Sequence, residues 1–265
     1  MIGEKWVNVP SEIDPPLHTA IRSAINPLFI PRRMAELEGK VRHYAREAIG
    51  RFKDRGHCEI MNDFAFEFPI RVFIDLMGLP QEDMQQFLAW EHQLLHGMSL
   101  ADVTNATKEV SLYLRSAVEE RRRNPTEDFI SYGLDVRFEG RGFNDDEIMG
   151  YCFNLFVGGL DTVSTNIGHQ FRHLAERPDH QALLRREPER IGEAIEELLR
   201  AYAPSVTPRR VVKQVEIGGV TMMPGDTVLM ATFLANRDPE EFPDPDEVIL
   251  DRKPRHVGFG FGPHM

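Results

Sequence analysis

The feature that most restricts this chain is a proline-free stretch of about 30 residues between Asn144 and Pro178 that opens on a helix-start signature, Asn144 followed by Glu147. One uninterrupted helix is allowed there, roughly 45 Å long. Its first half is apolar nearly all round, since Ile148, Met149, Tyr151, Cys152, Phe153, Leu155, Phe156 and Val157 leave no wide polar stripe. Such a helix crosses a core and does not lie on one. Into that core the sequence puts Val157-Gly158-Gly159-Leu160-Asp161-Thr162. Adjacent glycines cost about 1 kcal/mol each in a helix, and a buried carboxylate costs more unless it is partnered. Bulk packing does not account for them, and the pattern points to a site where something lies flat against the helix.

Composition bounds what that site can serve. With 42% hydrophobic and 28% charged residues the chain reads as an ordinary globular protein. No apolar run reaches the roughly 18 to 20 residues of a membrane span, and no signal peptide follows Met1, so a cytoplasmic protein without membrane contact is expected. A net charge of -11 argues against nucleic acid as a partner, because a phosphate backbone would be repelled. Cys58 and Cys152 lack metal-ligand spacing and are expected to be buried thiols, with no metal ligand among the residues given.

Taken in order, Asp14-Pro15-Pro16-Leu17-His18 starts a helix on which His18 and Arg22 share a face. That face either grips an anion or is a solvated pair. An amphipathic helix fits 33–55, Cys58-Glu59-Ile60 reads as a short strand, and a helix over 64–77 stops at Gly78-Leu79-Pro80. Helices also fit 81–96 and 102–123, the second ending in Arg121-Arg122-Arg123, read as a solvated basic end that complements the helix dipole. In the helix over 191–202, Glu197-Leu198-Leu199-Arg200 pairs an acid and an arginine; exposed, the pair is worth little, and half-buried it would be a structural node. After Pro208 the period changes, and Val211 to Ile217, Val220 to Met223 and Thr227 to Leu229 read as short strands. Proline- and acid-rich coil follows, and then the glycine-rich tail His256 to Met265. The class is mainly α with a minor β part: one domain over 1–265, with a helical core at 15–203 and a small sheet and coil at 208–265.

Read together, these motifs resemble the cytochrome P-450 family of haem-thiolate monooxygenases. Gly158-Gly159-Leu160-Asp161-Thr162 is similar to the family's oxygen-activation motif, Glu197-Leu198-Leu199-Arg200 to its E-x-x-R, and Phe259-Gly260-Phe261-Gly262-Pro263-His264-Met265 to its haem loop. Asp14-Pro15-Pro16, Phe68-Pro69-Ile70-Arg71 and Gly78-Leu79-Pro80 resemble the bacterial camphor-hydroxylase branch. The resemblance places the family's cysteine ligand immediately after Met265. It implies a P-450 fold incomplete at both ends, an internal fragment that is expected to be inactive and poorly folded alone.

The resemblance also implies roles. Haem b (heme) would be bound with Gly158 and Gly159 allowing close approach, with Asp161 and Thr162 as the acid and hydroxyl of a proton relay, and with His18, Arg22, Arg209 and His264 as propionate partners. Phe259 and Gly260 belong to the haem loop. Glu197 and Arg200 would form a core node completed by Arg252, with Arg237 as the runner-up. Substrate would lie against Val157, Ser205 and Val206; Asn154 is polar where the family tends to be apolar. The implied activity is hydroxylation of a small apolar substrate, terpenoids included, with dioxygen and electrons from an iron–sulfur ferredoxin served by an NAD(P)H-dependent reductase. Arg22, Arg32 and Arg33 would contribute the ferredoxin-facing patch. The intact acid and alcohol pair argues against a hydroperoxide-driven relative. The alternative outside catalysis is a truncated remnant that binds small apolar molecules or a partner.

Overall fold

A capping box starts the helix on which the first half of the chain is built: the Asn144 side chain accepts from the Glu147 amide, and the Glu147 carboxylate accepts from the Asn144 amide, both at 2.9 Å. The structure, a computed structural model, describes residues 4–265. The chain divides into two compact units, Met1–Ser164 and Thr165–Met265.

The first unit contains α1 (Leu17–Ile25), α2 (Pro31–Gly50), α3 (Glu67–Leu76), α4 (Met84–His96), α5 (Leu100–Arg123), α6 (Phe129–Asp135) and α7 (Asp145–Gly159), and α8 (Asp161–Glu176) begins in it. Helix α4 packs on α5 and α3, and α5 packs on α7. Tyr151, Cys152, Phe153 and Phe156 of α7 are buried to within 1% and meet Ile70, Ile74, Met77, Phe87, Leu114 and Ile130 from the surrounding helices. Burying each such side chain contributes about 1.5–3 kcal/mol, so α7 is placed by its apolar face.

The second unit holds α9 (Pro178–Arg186), α10 (Ile191–Ala201), α11 (Thr232–Ala235) and four strands, β1 (Val206–Arg210), β2 (Val215–Ile217), β3 (Val220–Met222) and β4 (Thr227–Ala231). The strands form two separate antiparallel pairs, β1 with β4 (Pro208 opposite Leu229) and β2 with β3 (Glu216 opposite Thr221). Ala194, Leu198 and Ala201 of α10 bury against Val248 and Leu250.

Several expectations are corrected. The long helix is broken at Leu160 (φ -106°, ψ -81°), where adjacent glycines leave the backbone least able to hold helical geometry. Cys58-Glu59-Ile60 is not a strand. The Glu59 carboxylate accepts from the Asn62 amide at 2.7 Å, and Asp63 accepts from the Glu59 amide at 2.8 Å, which starts a wide helical turn over Met61–Ala65. Cys58 is exposed, and only Cys152 is the buried thiol expected. The first strand begins at Val206, ahead of Pro208, whose missing N–H is tolerated in a two-stranded pair. Arg121 is not a solvated helix end: its guanidinium binds Asp128 and the Gly78 carbonyl. Helices α6 and α9 were not anticipated, although Asp128 is an N-cap, accepting from the Ser131 amide at 2.7 Å, and Pro178 occupies a first helical turn.

At Gly78 and at Gly150 a side chain has no room. Gly78 has φ +65°, and a Cβ there would run into the Asp128 side chain. A Cβ at Gly150, on α7, would overlap the Val7 carbonyl oxygen. Gly150→Ala should therefore lower the urea midpoint, by the equivalent of about 1–3 kcal/mol. An unchanged midpoint would show that Val7 is not held against α7 in solution.

Candidate functional site

The break between α7 and α8 sets the local chemistry. Thr162 Oγ1 donates to the Gly158 carbonyl at 3.0 Å and Ser164 Oγ to the Leu160 carbonyl at 3.1 Å, so side-chain hydroxyls return to the carbonyls around the break. Gly158 is exposed, and a Cβ built on it would meet no atom within 4 Å, whereas one on Gly159 would touch Phe73 at 3.6 Å. The flank at Gly158 is open backbone. Beside it runs an apolar groove of about 370 Å³, lined among others by Phe68, Val72, Leu76, Leu155 and Val163. Val157 packs against the main core and does not line this groove. Asn154 lines it, but its Oδ1 accepts from Ser11 Oγ at 2.5 Å.

Asp161 opens α8 with its side chain 32% exposed, and one carboxylate oxygen lies 3.5 Å from His96 Nε2 of α4. Glu91, also on α4, is 5% exposed, and its carboxyl is pushed up to about 7, first by burial and then by the charge of Asp161. Sequence reasoning missed Glu91 and His96. The signal available was a glutamate on the apolar stripe Phe87, Trp90, Glu91, Leu94.

On α1, His18 is buried and Arg22 is exposed, with Arg22 Nε donating to Asn26 Oδ1 at 3.2 Å. His18 is therefore not a solvated surface histidine.

In the second unit, Glu197 and Arg200 are fully buried. Arg200 forks the carboxylate through Nε and Nη2 at 2.8 and 2.9 Å, Arg252 Nε reaches Glu197 Oε1 at 3.0 Å, and the Ile249 amide reaches the same oxygen at 2.9 Å. Burial alone would raise this carboxyl; the hydrogen bonds from Arg200, Ile249 and Arg252 overcome it and hold the group below the usual carboxylate range. Arg237 is engaged elsewhere, with the Ala201 carbonyl at 2.9 Å and Asp246 at 2.7 Å. Val206 starts β1 beside Ser205, whose carbonyl accepts from Thr232 Oγ1 at 2.7 Å, and Arg209 is exposed on the same strand. Phe259 is 62% exposed, Gly260 and Gly262 take positive φ (81° and 79°), and His264 closes a short turn over Gly262–His264.

A family model for cytochrome P450 matches residues 72–265. Probable cytochrome P450 127A1 of Sinorhizobium fredii is 38% identical over all of this chain, which covers 64% of that protein. The 6-deoxyerythronolide B hydroxylase of Saccharopolyspora erythraea is 33% identical over 95% of this chain and 64% of its own length. Among solved structures, the Bacillus subtilis bacillaene polyketide synthase cytochrome P450 PksS superposes with a TM-score of 0.89 at 30% identity, covering 95% of this chain and 66% of that one. The chain belongs to the cytochrome P450 family, and it spans about two thirds of the length of the curated relatives it matches.

The family's group is haem b, and the residues present fit it in part. The open backbone flank at Gly158 suits a flat ligand, and the exposed guanidiniums of Arg22 and Arg209 suit carboxylates. Neither cysteine is placed as its thiolate: Cys58 lies far from the glycine-rich loop in sequence, and burial pushes the Cys152 thiol up, keeping it neutral in the core.

The Glu197 node yields a signed prediction. Its folded-state carboxyl titrates below the ordinary value, so its contribution to stability is present above pH 4.5 and is lost as the pH falls below it. Arg200→Ala strands a buried carboxylate and should cost about 3–5 kcal/mol in chemical denaturation at pH 7. A loss below about 1 kcal/mol would mean that the node is solvated.

Proposed function

We propose that this protein is a monooxygenase that hydroxylates an apolar substrate with dioxygen and electrons from an iron–sulfur ferredoxin served by an NAD(P)H-dependent reductase. The observation that carries the reading is the helix break at Leu160, where the Thr162 hydroxyl sits on the Gly158 carbonyl beside an open glycine flank and an acid follows at Asp161. Haem, when bound, supplies the activation of dioxygen and its insertion into a C–H bond. Gly158 and Gly159 present backbone without side chains, so a flat group and a small molecule can approach. Asp161 takes protons from solvent and from His96, and the Thr162 hydroxyl, both donor and acceptor, passes them inward. Arg22 and Arg209, with His18 and His264, are the proposed holders of the propionates, and Phe259 and Gly260 the proposed loop contacts. Val157, Ser205 and Val206 are the proposed substrate wall.

The relatives' names support a substrate with a large apolar ring system. They include a mycinamicin IV hydroxylase/epoxidase and a vitamin D(3) 25-hydroxylase, and solved neighbours were crystallised with testosterone and with erythromycin B. Terpenoids fall in the same chemical range. Among the residues lining the groove beside Gly158, Asn154 carries a polar side chain, and its Oδ1 accepts from Ser11.

In the full-length protein, Thr162→Ala should keep substrate binding while product per NAD(P)H consumed falls severalfold and peroxide rises. Unchanged coupling would overturn the relay. Asp161→Asn should slow turnover, since an amide exchanges no proton at neutral pH.

Electron supply offers a separate check. Arg32 and Arg33 are exposed, but both lie near Glu36, at 3.4 and 3.6 Å, which partly neutralises the patch they form with Arg22. Ferredoxin affinity should weaken as salt rises, and Glu36→Gln should strengthen it. Salt-insensitive binding would count against this partner.

A further inference from the structure

Away from the helix break, the second unit lines up four polar side chains end to end. Arg177 Nη2 lies 3.0 Å from His180 Nε2, His180 Nδ1 lies 2.9 Å from His173 Nε2, and His173 Nδ1 lies 2.9 Å from the Tyr202 hydroxyl. His173 is 5% exposed on the last turn of α8, His180 is on the first turn of α9, and Tyr202 is the residue that caps the end of α10. The Tyr202 ring also stacks on His169, one turn before His173, with centroids 5.7 Å apart and planes 9° from parallel.

The direction of every hydrogen bond in this row follows from one end. A guanidinium has only donors, and that of Arg177 is fixed by Asp179, which accepts from its Nε at 3.0 Å and its Nη2 at 2.8 Å. His180 Nε2 must therefore accept from Arg177, and the single N–H of a neutral His180 is on Nδ1. That N–H points at His173 Nε2, so His173 in turn carries its proton on Nδ1 and donates to Tyr202. Each of the three links now holds one proton. A further proton can be placed only on Nε2 of His180 or of His173, and in either position two donors face each other. We propose that Arg177, His180, His173 and Tyr202 form a one-way hydrogen-bond chain that latches the end of α10 to α8 and α9 at neutral pH and is opened by acid.

The surroundings favour neutral rings. Burial comes first in holding both imidazoles below the ordinary histidine value, followed by the charges of His180 and Arg177 for His173 and by that of Arg177 for His180. The acids that face the rings are Glu176 at the end of α8, Asp179 on α9 and Glu247 in the coil after α11; they favour charge and do not overcome burial. Around Tyr202 the charged groups are Glu176, Arg172, Arg177 and Arg237. Rings that charge less readily in the fold than in the unfolded chain give their full stability above pH 6.5, and that stability is lost as the pH falls below it. The segment under the latch is the turn from Tyr202 into β1. With Tyr202 released, Arg237 still binds the Ala201 carbonyl and Thr232 the Ser205 carbonyl, so acid loosens the turn without unfolding the unit.

Nitrogen-15 NMR of the imidazoles in the full-length, haem-loaded protein, in its diamagnetic reduced carbon monoxide form, reads the chain directly and requires nothing of the monooxygenase reading. At pH 8 both His173 and His180 should be in the Nδ1–H tautomer, the reverse of the form imidazole side chains favour in water, and both should titrate below 6.5. Arg177→Met should raise the His180 midpoint by removing the donor that faces it. Hydrogen exchange at Ala203, Ser205 and Val206, corrected for the intrinsic effect of pH, should speed up severalfold between pH 7.5 and pH 5.5. His180→Gln should flatten that response, because an amide does not titrate and can turn its oxygen toward a protonated His173. If His180→Gln fails to fold, the wild-type tautomers and the Arg177→Met titration decide without it. An Nε2–H tautomer on either ring at pH 8, an unmoved His180 midpoint in Arg177→Met, or exchange that ignores pH, as a merely structural cluster would give, overturns the latch.

Discussion

A glutamate without solvent contact, held by two guanidiniums, determines how the chain after α10 is arranged. Once Arg200 has forked Glu197, its Nη1 still reaches the Asn236 and Pro245 carbonyls, each at 2.8 Å, and its Nη2 the Glu247 carbonyl at 2.9 Å. Arg252 adds Asp244 and Glu247 carbonyls at 3.0 and 3.1 Å. The stretch between Asn236 and Arg252 has no ladder to satisfy its backbone, so the guanidiniums do this instead. A buried ion pair is weak evidence for net stability, because desolvation offsets most of the attraction. What the node supplies is a single path for an otherwise irregular coil. Asn236 extends it, its Oδ1 accepting from the Val257 amide at 2.8 Å just ahead of the glycine-rich loop.

The first unit uses the same device at smaller scale. Arg121 binds both Asp128 and the Gly78 carbonyl, Asp128 caps α6, and Thr126 Oγ1 donates to the same carboxylate. Burial opposes the charge on Asp128, but these donors hold its carboxyl below the ordinary range. One arginine at the end of α5 therefore ties the stop of α3 to the start of α6, and glycine at 78 is what lets the backbone come that close. In each unit an arginine that sequence alone could not distinguish from a solvated one closes a non-repetitive segment.

What was legible in the sequence followed from local physics. The capping box at Asn144, the apolar face of α7, the glycine stop at Gly78 and the helix over Glu197 are written in neighbouring residues, and each stands where its pattern placed it. The misreadings share a cause of the opposite kind. Arg121 depends on Asp128 seven residues away and on Gly78 forty-three away, and the Glu91 carboxyl is raised first by burial against other helices and then by the charge of Asp161. Cys58-Glu59-Ile60 carries a β-branched residue and looks like a strand, but Asp63 takes the Glu59 amide and the Glu59 carboxylate takes the Asn62 amide, which starts a helical turn there instead. Asp161 and Thr162 are visible as residue types; what the sequence does not provide is the His96 imidazole 3.5 Å from the Asp161 carboxylate.

The two buried glutamates show why burial alone does not assign a role. Glu197 is fully buried and Glu91 nearly so, yet their carboxyls move in opposite directions. For Glu197 the desolvation penalty is outweighed by two guanidiniums and an amide, so charge is retained and stability falls only as acid removes it. For Glu91 no donor answers, and Asp161 adds a like charge, so the neutral acid prevails and stability instead falls as alkali removes its proton, between the unfolded value of 4.5 and about 7. A carboxylate with its hydrogen bonds filled is fixed in place and serves the fold. A carboxyl whose buried oxygen meets no donor is held neutral instead, and this chain carries that group on α4, where the charge of Asp161 adds to the effect of burial.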